Sequence, residues 1–146
     1  MKQGSRRRLI IRFTNDSGEL MGVFNADLDQ SGTSQALWEM LPLSYRLAYW
    51  GDSLWIQVPL QDDRVLGKVT TNLARGDIAY WPPGKQIHLY YGRTPESKEN
   101  LTPVPPTPVL RLGSIIEEPE SLKRFLKRIP LRSSYITLDR ADDKKV

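Results

Sequence analysis

The sequence predicts a mainly β fold, a barrel or a sandwich, and three observations carry that expectation. Short runs of period-two hydrophobicity recur along the 146 residues, separated by clusters of Gly, Pro, Asn and Ser. Only two stretches have helical spacing, and strands and helices do not alternate as they would in a parallel α/β sheet. Third, the stretch GDIAYWPPGKQIHLYYGRTP, residues 76–95, reads as two strands around a Pro-Pro-Gly corner.

The elements follow in order. Leu9, Ile11 and Phe13 alternate with Ile10, Arg12 and Thr14, and the turn cluster Asn15-Asp16-Ser17-Gly18 leads into a second strand from Glu19 to Asn25. Thr33 or Ser34 is placed to cap a short helix with Leu37, Met40 and Leu41 on one side. Pro42 ends it, lacking an amide hydrogen and disfavouring helix at the residue before it. A strand is expected over Leu43, Tyr45, Leu47 and Tyr49, turned by Gly51-Asp52-Ser53 into Leu54 to Val58. Between Gln61 and Arg75 the anchors are Val65, Leu66, Val69 and Leu73.

Four of the six residues from Pro103 to Pro108 are proline, which makes that segment extended. Its two Pro-x-x-Pro repeats suit an aromatic groove in a partner, but a stiff crossover between strands is the favoured reading. Val109 to Ile115 is a strand. Leu122, Phe125, Leu126 and Ile129 share a helical face, with acidic residues before it and basic residues through it, as the helix dipole favours. That helix reads as a lid over one opening, and Ser133 to Leu138 as the last strand.

Composition narrows the function classes. Hydrophobic residues at 39% and charged residues at 26% fit one globular domain. With no cysteine, disulfides, thiolate metal sites and cysteine nucleophiles are excluded. The apolar run after Arg6-Arg7-Arg8 breaks at Arg12, too soon for a signal peptide, and no run is long enough to span a bilayer. A cytoplasmic protein without a membrane partner is the expectation. The net charge of +4 is mostly Arg6, Arg7 and Arg8, so basicity belongs to a tail (residues 1–8) rather than to the domain (9–138) or the charged end (139–146).

The quoted stretch, followed by VLRLGSIIEEPESLKRF, resembles the small cyclophilin-like β-barrel family of prokaryotic proteins of unknown function. The likeness rests on Gly76-Asp77, on Tyr80 to Lys85 in the turn, and on Gly92 with Thr94-Pro95. It implies a closed cyclophilin-like antiparallel barrel of about eight strands with two short helices. It does not imply prolyl isomerase activity. True cyclophilins carry Arg-x4-Phe-x2-Gln, and only Arg8 with Phe13 begins that pattern here, with Asp16 where glutamine belongs. Fold alone is no warrant for function.

Within the stretch, Ile87, Leu89 and Tyr91 share the face expected inside, while Gln86, His88 and Tyr90 face outward or into a groove beside Tyr80. Gly84 is expected to close the turn with a positive φ. His88 titrates nearest neutrality, yet it stands alone, without the further ligands of a zinc site, and reads as structural rather than catalytic. Gly84-Lys85 lacks the rest of a phosphate-binding loop. Arg93 with Thr94 reads first as a cap on exposed carbonyls and second as an anion contact. Tyr80, Trp81, Tyr90 and Tyr91, joined by Trp50 and Trp55, form either core or a recognition surface.

The reading is therefore a binding domain without recognisable catalysis, for a small molecule or an extended peptide. Its candidate residues are Tyr80, Trp81, His88, Tyr90 and Arg93, with no catalytic residue, metal or cofactor, and it acts as a monomer or weak dimer. Two alternatives stand beside it. One is an enzyme of the cyclophilin superfamily, a weak isomerase or a partner subunit in amide hydrolysis. The other is a nucleic-acid-associated protein acting through Arg6 to Arg8.

Overall fold

The structure, a computed structural model, describes residues 7–130 and 132–141. Its strands are β1 (Arg7–Asn15), β2 (Leu20–Leu28), β3 (Leu43–Arg46), β4 (Ser53–Gln57), β5 (Asp77–Trp81), β6 (Gln86–Tyr90), β7 (Leu110–Ile115) and β8 (Ser134–Arg140). Two helices, α1 (Gly32–Met40) and α2 (Pro119–Leu126), complete the fold. All pairings are antiparallel, in the order β3-β8-β1-β2-β7-β5-β6-β4.

The two edges of this sheet meet. Trp55 donates its amide to Ala48 at 3.0 Å, Trp50 donates to Ser53 at 2.9 Å, and Tyr49 bridges Leu54, so the segment after β3 closes onto β4. The result is a nearly closed barrel, which removes the exposed edge strands an open sheet would leave. Alternation fills it: Leu9, Ile11 and Phe13 of β1 are fully buried, with Ile87 and Leu89 of β6 opposite them in the same core. One interior void of about 20 Å³ remains, room for a water but not for a ligand.

The lid is present. Leu122 and Leu126 of α2 enter the core, and the Phe125 ring lies 5.2 Å from Phe13 and 5.5 Å from Phe24. The opposite helix, α1, is capped by Ser31, whose hydroxyl accepts the Ser34 amide at 3.1 Å. Thr33 and Ser34, the expected caps, are instead buried in its first turn, where Thr33 bonds the Leu66 carbonyl and Ser34 bonds Asp29.

Other expectations are corrected. The first strand begins at Arg7, inside the expected tail, because Arg8 pairs with Asp27 at 2.6 Å and Arg7 reaches the Asp29 carbonyl and Gln35. Arg6 and residues 142–146 lie outside the described residues. The third strand stops at Arg46 and pairs with β8, earlier than expected, while the expected turn at Gly51-Asp52 is present and folds residues 48–50 antiparallel onto the start of β4. Leu66 and Val69 are exposed, and of the expected anchors only Leu73 is buried. At the Pro-Pro-Gly corner a short 3₁₀ turn spans 82–84, and Lys85, not Gly84, takes the left-handed φ of 53°.

Candidate functional site

Strand alternation sends Gln86, His88 and Tyr90 to the outside of the barrel, but not to open solvent. Leu73, Ala79, Tyr90 and Val109 form a second small core there, with Trp50 and Trp81 packed at its margin. Three excursions supply the cover: the turn carrying Trp50, the loop carrying Leu73, and the proline-rich crossover ending at Val109.

His88 lies at the centre of this outer layer, 2% exposed. Register places it opposite Trp55 on β4 and Ala79 on β5. Its ring is stacked on Tyr90, with centroids 5.3 Å apart and planes at 14°, and lies near-parallel to Trp55 at 6.4 Å. Trp50 at 6.1 Å and Trp81 at 6.5 Å stand almost perpendicular to it. Three of the four tryptophans thus surround one imidazole. They open on a groove of about 210 Å³ lined by Trp50, Trp55, Trp81, Gln86, His88 and Pro106.

Both nitrogens of His88 are engaged. Nε2 lies 2.9 Å from Oε1 of Gln86 and Nδ1 lies 3.1 Å from the Ser53 hydroxyl. With the proton on Nε2, the ring donates to Gln86 and accepts from Ser53. Burial pushes the imidazole down to about 4 from its ordinary 6.5, so it is uncharged at neutral pH. No charged side chain lines the groove. Such a lining suits uncharged, flat or apolar groups, and the indole N–H of Trp81 is donated to the Thr107 hydroxyl. An imidazole of such low basicity is a weak proton acceptor, and both of its nitrogens are already bonded.

The candidate residues separate. Trp81 and His88 meet in the groove. Tyr90 lies beneath His88, fully buried, its hydroxyl without a hydrogen-bond partner and its ionisation pushed up by burial. Tyr80 points the other way, into the barrel core with Ile78 and Ile87. Arg93 lies outside the groove lining and donates to the Lys98 carbonyl at 2.6 Å. The sequence places Gln86 on the face of His88 without marking it as a candidate, and it gives no sign of Pro106, because which loop residue meets the outer face is a matter of long-range register. Trp50 and Trp55 carried a signal of their own, as large aromatics flanking a tight turn.

Two other hollows hold less promise. One, below α2, contains the Lys123–Asp52 ion pair at 3.1 Å beside Lys127, and the other, beside α1, contains the Arg64–Glu39 pair at 3.0 Å. Arg8 and Phe13 cannot form an isomerase pair, since Phe13 is inside the barrel and Arg8 outside it, paired with Asp27. Among the described residues no helix is long and apolar enough to cross a membrane, and no cluster of three metal-ligating side chains occurs.

The family profile described as Cyclophilin-like matches residues 10–132. The chain belongs to the cyclophilin-like family. Among solved structures, the hypothetical protein AF2241 from Archaeoglobus fulgidus, a solution structure, is similar to this cyclophilin-like protein. It aligns with a TM-score of 0.62 and 25% identity over 96% of this chain and 98% of that one. A comparison with curated proteins found no match.

Proposed function

We propose that this cyclophilin-like domain is a binding module whose outer groove takes an extended peptide or a flat small molecule. The observation that supports it is the arrangement of Trp50, Trp55 and Trp81 around an uncharged His88 whose two nitrogens are already bonded. Aromatic side chains with two χ angles offer large contact area at little entropic cost, and they recur at binding hot spots for that reason. The imidazole orders the indoles rather than reacting.

The test is a fluorescence titration of the tryptophans with short proline-containing peptides and heteroaromatic fragments, backed by amide and indole chemical-shift mapping. Ligands should perturb Trp50, Trp55 and Trp81 together, and Trp55→Ala should remove the response in a protein that still melts cooperatively. Shifts confined to the hollows below α2 or beside α1 would refute the assignment.

A further inference from the structure

The proline-rich crossover touches the groove at two points. Pro106 forms part of its lining, and the Trp81 indole donates through Nε1 to the Thr107 hydroxyl at 2.6 Å. We infer that residues 105–108, anchored at 104 and 109, are a strap which restrains the groove and lifts from Trp81 when a ligand enters. This rests on the groove being a binding site, and it concerns how that site is controlled.

The strap is anchored at both ends, and of the four residues between them Pro105 alone is buried. Upstream, the buried Thr94 donates to the Val104 carbonyl at 2.6 Å, and Ser97 donates to the Thr102 carbonyl at 2.7 Å. Downstream, Val109 exchanges both backbone hydrogen bonds with Thr70, at 2.8 and 2.9 Å, and is fully buried. Of the four residues between, 105, 106 and 108 are proline, so Thr107 brings the only amide hydrogen and no ladder can form. Thr107 and Pro108 are exposed. One side-chain hydrogen bond and the seating of Pro105 and Pro106 hold this piece down.

That hydrogen bond also decides what the groove offers. No acceptor among the described residues meets the indole N–H of Trp50 or of Trp55, whereas that of Trp81 is taken by the strap. A ligand that uses the third donor must displace Thr107. The extended proline conformation has few states to gain on release, so the strap moves as a stiff piece between its anchors. Its docking lowers the apparent affinity of the groove by the fraction of time the strap is down.

Two variants and two readouts test this. Thr107→Val keeps the shape and removes the acceptor, and Thr107→Ser restores it. The first readout is hydrogen exchange of the Trp81 indole N–H, which needs no ligand. The second is tryptophan fluorescence on titrating a synthetic peptide of residues 102–109, a soluble copy of the strap. In Thr107→Val we expect exchange and peptide affinity each to rise roughly fivefold, since one hydrogen bond is removed, and in Thr107→Ser both to match the wild type. Unchanged exchange in Thr107→Val, or faster exchange with equal or weaker peptide binding, overturns the strap and leaves a fixed wall. Faster exchange with no peptide binding to any of the three proteins removes the binding-site reading itself, and the gate with it.

Discussion

The Trp81 ring covers the α-carbon of Gly84 so closely that a methyl group there would come within 2.4 Å of Cζ3 and 2.5 Å of Cε3. The glycine is needed for this approach and not for its dihedral, since the left-handed residue of the corner is Lys85. Gly84→Ala should push the indole outward and break its bond to Thr107. Because a side chain at the surface can yield, the cost should be modest, ~1–2 kcal/mol. Urea unfolding measures it, and the indole N–H resonance of Trp81 should move in the same variant. An unaltered resonance would mean that the ring does not rest on the corner.

Gly113 meets a harder neighbour. A Cβ there would lie 2.0 Å from the Asp27 carbonyl oxygen and 2.9 Å from the Leu28 α-carbon, where β2 and β7 cross. Backbone in a paired strand cannot swing aside. Gly113→Ala should therefore lose more than ~3 kcal/mol, well beyond Gly84→Ala, and yield little folded protein. Thermal melts of the two variants side by side give the ranking, and a reversed order would contradict the β2–β7 register.

Much of the barrel was legible because alternation is local. The parity of Leu9, Ile11 and Phe13, and of Ile87 and Leu89, assigns the inner face without any knowledge of partners. The same rule places Tyr80 inside with Ile78, so a groove role for Tyr80 conflicts with its own strand. Three of the motif residues have structural partners. Asp77 accepts the Ala74 amide at 2.7 Å and pairs with Arg111 at 3.1 Å, Gly92 makes room for Asp52, and Thr94 anchors the crossover. What remained illegible was long-range: β4 against β6 sets Trp55 opposite His88, and the crossover brings Pro106 across, neither of which any local window contains.

The lid offers a test of coupling. A Cβ on Gly22 would sit 2.5 Å from Cε1 of Phe125, so the bare backbone of β2 is the seat of that ring. Phe125→Ala should cost ~2–4 kcal/mol by opening the contact with Phe13 and Phe24. Gly22→Ala should cost about as much alone, but much less once Phe125 is gone. A double-mutant cycle in chemical denaturation reads the difference, and strict additivity would show that the lid seats elsewhere.

The buried imidazole ties stability to pH. In the folded chain His88 titrates near 4, in the unfolded chain near 6.5, so between those values the unfolded state binds the extra proton. Its contribution is complete above pH 6.5, falls as pH drops, and is spent near pH 4, a total of ~3 kcal/mol from a shift of this size. His88→Gln removes the titrating group, and the difference between the two stability curves isolates it from the carboxylates that titrate lower. Protonation also turns Nδ1 into a donor, which sends the Ser53 hydroxyl proton to the Trp50 carbonyl, 3.1 Å away. An imidazolium among three indoles quenches them, so wild-type fluorescence should fall with a midpoint near pH 4 while His88→Gln stays flat. A midpoint near 6.5 would place His88 in water and dismantle the outer layer described above.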